Sequence, residues 1–278
     1  MPNDFNTSII EEFRANDGRM SGPFEGARLL LLTTKGARSG RPHTTPLGYL
    51  PDGDRELVIA SAGGSPRNPA WFHNLRANPR VTVENGAFIY EADAVVLEGA
   101  ERDAAFARAV EAEPGWADYQ AGTSRTIPVV ALVAVPGPPN LGGRPMGDGL
   151  KAIHDGYRHE LGIIRKELAA AGPRLGAQLR VNCLTMCQGL TVHHQAEDGG
   201  IFPAVAKARP ELAEAMARMT REHEVVAALL AEIQTLVKAE DTPPATLLAE
   251  FDRLTTDLEA HLTYEEDQLV PLLNDLFS

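Results

Sequence analysis

The chain is 278 residues long and 44% hydrophobic, enough to fill two separate cores. Its formal net charge of −12 argues against nucleic acid or an anionic membrane surface as a partner. The apolar runs Leu29–Leu32 and Val129–Val135 are far too short to span a bilayer, and Met1–Met20 carries no signal-peptide core, so a cytoplasmic protein is expected.

Phe5, Ile9, Ile10 and Phe13 are spaced for an amphipathic helix over 5–14, stopped by Asn16-Asp17-Gly18. Arg28–Thr34 reads as a buried strand because Leu29 to Leu32 is unbroken, and 35–42 reads as a turn into a strand His43–Leu50. Pro51-Asp52-Gly53-Asp54 turns the chain into a third strand, Glu56–Ser61. A glycine-rich loop over 62–69 then leads to a short helix, Ala70–Ala77. Strands near Val81–Glu84 and Ala87–Leu97, helices near Glu101–Ala112 and Gly115–Ala121, and a strand Val129–Val135 complete the unit. Six strands with few helices predict a small antiparallel barrel over 1–135.

Residues 1–140 are net acidic, yet inside 35–80 seven basic residues (Lys35, Arg38, Arg41, Arg55, Arg67, Arg76, Arg80) face three acids (Asp52, Asp54, Glu56). Clustered around two glycine-rich turns, they point to a site for phosphate or carboxylate, since backbone N–H groups and guanidinium forks both hold such anions. Neither turn has Rossmann or Walker spacing.

The unit also carries Glu12-Phe13-Arg14-Ala15-Asn16, Leu30-Leu31-Leu32-Thr33-Thr34, Arg38-Ser39-Gly40, Thr45-Pro46-Leu47, Ser61-Ala62-Gly63-Gly64, Asn68-Pro69-Ala70-Trp71, Asn74-Leu75-Arg76-Ala77-Asn78-Pro79 and Arg125-Thr126-Ile127-Pro128. As a set these resemble the deazaflavin (coenzyme F-420) dependent nitroreductases of actinobacteria, which are split β-barrels. The resemblance implies that Arg38, Ser39 and Arg41, with the loop Ser61, Ala62, Gly63 and Gly64, hold the phosphate and glutamate tail of the coenzyme. It implies a ring pocket with Asn68 and Trp71, and a substrate side with Trp116 and Tyr119 in the catalytic position. Ala62 stands where a lysine is common, His43 where an arginine is common, and Gly48 where the nitroimidazole-reducing members have tyrosine. A quinone or another planar electrophile is therefore the expected substrate class. Split barrels also accept FMN or haem, which are the alternative ligands.

From Pro136 to Gly149, nine of fourteen residues are Pro or Gly, which marks a linker over 136–149. Beyond it, helical stripes dominate. The first reads His154, Tyr157, Leu161, Ile164, Leu168, and the second Leu179, Cys183, Met186, Leu190, His193, Glu197. The third is Leu212, Met216, Met219, His223, Val226, Leu230, Ile233, and the last Leu247, Phe251, Leu254, Leu258, His261, Glu265, Leu269, Leu272. Each polar residue takes a core position. His193 and Glu197, like His261 and Glu265, are four apart and so share a helix face. His194 is expected beside the seam rather than in it. A lone buried histidine is usually a satisfied core residue, but six polar side chains left unpaired would cost about 2–7 kcal/mol each or more. A shared metal centre is the economical explanation. Imidazole and carboxylate without paired thiolates favour iron or manganese over structural zinc, and six ligands are too many for one tetrahedral ion. Cys183 and Cys187, one turn apart, read as reduced core residues.

Residues 150–274 resemble hemerythrin-type, HHE cation-binding domains, whose ligand pattern maps onto His154, His193, Glu197, His223, His261 and Glu265. The resemblance implies two iron ions. Oxygen-carrying hemerythrins offer two histidines four apart on the third helix, whereas here the residue four after His223 is Ala227. An open site on one iron follows, and with it oxygen or peroxide chemistry, or sensing.

The fold expected is thus α+β, a flavin-reductase-like split β-barrel followed by an all-α up-down four-helix bundle over 150–278. The function expected is an oxidoreductase reducing a planar electrophile, fused to a non-haem di-iron domain. A non-enzymatic iron, oxygen or redox sensor with a flavin- or haem-binding barrel is the alternative. The partners expected are a small planar redox substrate and dioxygen or peroxide, and a second copy meeting the first through the barrel.

Overall fold

A computed structural model describes residues 4–137 and 140–276. The chain divides into two compact units, one of residues up to Gly143 with Gly176–Gln178, the other of Arg144–Leu175 and everything from Leu179 on. Among the described residues no helix is long and apolar enough to cross a membrane.

The first unit is the expected six-stranded antiparallel barrel. Its strands are β1 (Leu29–Lys35), β2 (Pro42–Asp52), β3 (Arg55–Ile59), β4 (Arg80–Asn85), β5 (Phe88–Val96) and β6 (Val129–Ala134). They close in the order β1-β2-β3-β6-β5-β4, with Leu32 paired to both Thr45 of β2 and Val83 of β4. The unbroken leucine run of β1 has a physical reason, because both of its faces are covered. Leu30 and Leu32 point into the barrel with Val58, Val83, Val130 and Leu132. Leu31 points out and packs under α1 (Asp4–Ala15) with Ile9, Phe13 and Met20. Arg14 of that helix donates from Nε and Nη2 to Glu84 on β4, at 2.8 and 2.6 Å. The outer faces of β3 and β6 are covered in the same way by α3 (Gly99–Ala112), through Ala105, Phe106 and Ala109. Two further helices, α2 (Ala70–Ala77) and α4 (Gly115–Ala121), follow the bounds expected from the sequence.

The second unit is built on four long helices, α5 (Met146–Ala170), α6 (Ala177–Ala196), α8 (Ala213–Lys238) and α9 (Pro244–Leu276). A π-turn at Glu197–Ile201 joins α6 to the short α7 (Phe202–Ala208). Within the stretch expected as linker, Pro138 and Pro139 lie outside the described residues, and α5 already begins at Met146. Asn274 of α9 caps that start by accepting from Gly147 N at 2.8 Å and Asp148 N at 3.2 Å. A Cβ on Gly147 would collide with the Val270 carbonyl, so only glycine lets the two helices meet there.

Two apolar clusters fill the bundle. One joins Leu161 and Ile164 of α5, Cys187 and Leu190 of α6, Val226 and Leu230 of α8, and Leu254 and Leu258 of α9. The other holds Leu150, Phe202, Val205, Met216, Met219, Leu269 and Leu273. Along the chain, His154 falls between Leu150 and Leu161, His193 and Glu197 between Leu190 and Phe202, His223 between Met219 and Val226, and His261 and Glu265 between Leu258 and Leu269 of these clusters. The polar layer is therefore closed above and below by hydrocarbon.

Candidate metal centre and coenzyme loops

His154, His193, Glu197, His223, His261 and Glu265 converge in that layer. Glu197 Oε1 lies 3.1 Å from His193 Nε2 and 4.0 Å from His154 Nε2, and its Oε2 lies 3.7 Å from His223 Nε2. Glu265 Oε2 is 3.6 Å from His154 Nε2 and 3.4 Å from His261 Nε2, and His223 Nε2 is 3.0 Å from His261 Nε2. Donor atoms bound about 2.1 Å from one octahedral ion sit about 3 Å apart along an edge and about 4.2 Å apart across it, a range that spans these spacings.

Three imidazoles are steered from behind. His154 Nδ1 lies 3.0 Å from Glu266 Oε1, and His261 Nδ1 3.0 Å from Glu222 Oε2. His223 Nδ1 lies 3.1 Å from Asp198 Oδ1, within reach of a hydrogen bond but poorly angled for one. The carboxylates are themselves held: Arg158 donates to Glu266 at 2.6 Å, Arg218 to Glu222 at 2.7 Å, and Thr220 to Asp198 at 2.8 Å. A proton kept at Nδ1 leaves each Nε2 lone pair aimed at the centre.

The layer is electrostatically unresolved by protein groups alone. Nε2 of His154, His193 and His194 and both oxygens of Glu197 and Glu265 are buried without a hydrogen-bond partner. Burial opposes charge on His154, but Glu197, Glu266 and Glu265 outweigh it and push the imidazole up to about 9. Burial, with His154 nearby, pushes His193 down to about 3. Burial raises Glu197, while at Glu265 it is overcome by His261 and His154, so the second carboxylate is held low. Seven orphaned polar atoms in a buried layer are far more than a few kcal/mol of folding stability tolerates. A cation between them removes the conflict. The donor set, imidazole and carboxylate with Cys183 and Cys187 buried elsewhere in the core, fits iron.

His194 corrects the sequence reading. It is 5% exposed, stacked on His223 at 4.0 Å and 12°, and inside the layer rather than beside it. The buried line on α6 runs Cys183, Cys187, Leu190, His194, Glu197, a stripe of the same spacing that the sequence offered equally well. The outer carboxylates Asp198, Glu222 and Glu266 also went unread, because each looks like part of a solvated helix face. The π-turn had a visible signal in Gly199-Gly200, directly after Glu197.

In the barrel, Arg38, Ser39 and Arg41 are exposed on the β1–β2 turn and His43 is exposed at the start of β2. Ser39 Oγ accepts from Arg41 N at 3.2 Å and lies 3.2 Å from His43 Nε2, and a Cβ at Gly36 would collide with both Ser39 Oγ and His43 Nε2. Asn74 of α2 ties the turn down by accepting from Ala37 N at 3.0 Å. The second loop turns through three left-handed residues, Ala62, Gly63 and Gly64, of which Ala62 has φ 49 despite its Cβ. Arg125 braces it, donating to Ala60 O, Ser61 O, Ser65 O and Asn68 Oδ1 at 2.6 to 3.0 Å. A Cβ on Gly64 would come within 3.1 Å of Tyr119 O, so this loop and α4 are brought together. Tyr119 is exposed and edge-on to Trp116 at 5.9 Å. Trp71 lies in the barrel core beside Leu75 and Val81.

Comparison with known proteins follows the same division. The family described as F420H2-dependent quinone reductase matches residues 7–134, and the hemerythrin HHE cation binding domain matches residues 146–273. An F420H2-dependent quinone reductase of Mycobacterium tuberculosis is 40% identical over 124 residues, which are 43% of this chain and 83% of that protein. A putative F420H2-dependent quinone reductase of the same species is 36% identical over 103 residues, 37% of this chain and 87% of that protein. A solved structure of an F420-H2 dependent reductase shares 40% identity, with 38% of this chain and 93% of that chain covered and a TM-score of 0.36. With the barrel, the two loops and this identity in hand, the chain belongs to the F420H2-dependent quinone reductase family and carries a hemerythrin HHE cation binding domain behind its barrel.

Proposed function

We propose that the chain is a deazaflavin-dependent oxidoreductase that reduces a quinone or a related planar electrophile, and that its bundle holds two iron ions for chemistry or sensing with dioxygen or peroxide. The barrel half rests on 40% identity to a quinone reductase across 83% of that relative. The bundle half rests on one observation, the seven buried and unpartnered donor atoms of the polar layer.

In this reading Arg38, Ser39 and Arg41 bind the anionic tail of the reduced coenzyme from the exposed β1–β2 turn. The left-handed loop 62–64, braced by Arg125, would bring its backbone close to the same ligand. Trp116 and Tyr119 flank the loop and would present an aromatic edge to a flat substrate. The bound coenzyme supplies a hydride donor, and the task left to the protein is to hold donor and acceptor rings in contact and keep water out. In the bundle, His154, His193, His223 and His261, with the carboxylates of Glu197 and Glu265, would hold the ions. The unbridged, buried Cys183 and Cys187 fit a reducing, cytoplasmic setting.

The test is titration of the purified chain with the deazaflavin, FMN and haem, with iron analysis of the same sample. Deazaflavin binding that weakens with salt and with Arg38→Ala is expected, together with about two irons per chain. Preference for FMN or haem would move the barrel to another ligand class. Unaltered deazaflavin affinity in Arg38→Ala at every ionic strength would misplace the tail site.

A further inference from the structure

We propose that His194 is a seventh metal ligand, a third imidazole on the side of the pocket formed by His223 and His261. The inference rests on the metal reading above and adds a residue outside the six expected ligands. One nitrogen from each of His194, His223 and His261 can be chosen so that all lie within 4.8 Å of one another. The His194 ring stacks on His223 and meets His261 edge-on at 5.4 Å. Its Nε2 is buried without a hydrogen-bond partner.

A histidine kept only for packing leaves that nitrogen unexplained, since an unpaired buried polar atom carries a desolvation cost that an apolar ring would avoid. The third helix has no second imidazole to offer. One turn beyond His223 stands Ala227, which is exposed, and one turn before it stands Met219. Helix α6 makes up the deficit because consecutive residues diverge by about 100°. His193 thereby meets His154, ring to ring at 5.2 Å, while His194 meets His223.

The result is an unequal pair of sites. His154 and His193 give one side two imidazoles, whereas His194, His223 and His261 give the other three, with Glu197 and Glu265 shared.

The full chain, loaded without oxygen with ferrous iron-57, tests this by metal titration and Mössbauer spectroscopy. The wild type should take up iron in two steps and show two ferrous doublets of equal area. His194→Phe keeps the ring and its stacking but has no nitrogen. It should weaken one step by at least about tenfold and shift one doublet, leaving the other in place. His194→Gln, of similar reach and still polar, should shift the same doublet. Wild-type titration and doublets in both variants would overturn the assignment, and so would a single symmetric doublet in the wild type without any variant. A wild type that binds no iron would sink the metal reading itself.

Discussion

Glu222 stands next to His223 in the chain but holds His261 on the neighbouring helix, with 3.0 Å between Oε2 and Nδ1. The other two outer carboxylates repeat the relation. Asp198 follows Glu197 and faces His223, and Glu266 follows Glu265 and holds His154. Each carboxylate thus neighbours one ligand in sequence and orients an imidazole carried by another helix.

Removing Glu222 should therefore loosen a ligand it does not adjoin. Glu222→Ala is expected to lower iron affinity by about 10- to 100-fold, read by competition with a chelator, while helix content is retained. Wild-type affinity in this variant would deny Glu222 its orienting role.

The π-turn makes a second prediction. Phe202 N–H donates to Glu197 O, five residues back, and Phe202 then lies over His223 with ring centroids 5.3 Å apart. The turn already absorbs one extra residue, so inserting an alanine after Gly199 would rotate α7 by about 100°. Phe202 and Val205, both buried, would leave the core, at a cost of about 3–5 kcal/mol or more. A lowered midpoint in far-UV-detected denaturation is expected, and an unchanged midpoint would count against the turn's role.

Much of this was legible in the sequence, and the exceptions share a cause. The six strands of the barrel and the six candidate ligands follow from strand runs and from polar residues set into apolar stripes. His194 was misplaced because Met186, Leu190, His193, Glu197 and Cys187, Leu190, His194, Glu197 are stripes of equal spacing, and only packing against α8 and α9 decides between them. Asp198, Glu222 and Glu266 could not be found from periodicity, since a half-buried carboxylate on a helix flank has the pattern of a solvated one. Arg125 was visible as part of a motif, but its four acceptors are distant in sequence.

Arg125 supplies the third prediction. Its guanidinium reaches three carbonyls and the Asn68 side chain from one planar group, a set that a lysine ammonium cannot match. Arg125→Lys should cost about 2–3 kcal/mol of barrel stability and weaken deazaflavin binding by at least about tenfold. Tryptophan fluorescence is a clean probe, because Trp71 and Trp116, the two tryptophans of the chain, both lie in the barrel unit. Unchanged stability and binding would show that the loop holds its shape without the brace.

Glu56 gives a pH prediction. Burial raises its carboxyl above the ordinary value, with Asn85 donating at 3.3 Å and Tyr90 beside it offering only partial relief. Between the unfolded and folded values the native state binds more protons, so barrel stability falls as pH rises through that window. Glu56→Gln removes the charge. It should be more stable than wild type at pH 8, with the gap closing as pH drops into the usual carboxylate range. A pH-independent gap, followed by tryptophan fluorescence, would assign the effect to packing instead.

The outer carboxylates have one more consequence. Because the carboxylates behind His154, His223 and His261 reside on other elements, exchanging the stretch that carries Asp198, Glu222 or Glu266 for that of a relative would also misdirect a ligand elsewhere. Such a unit can be transplanted only whole. Every member of the set lies between His154 and Glu266, so a transplant would have to carry that whole stretch to keep the ligands aimed.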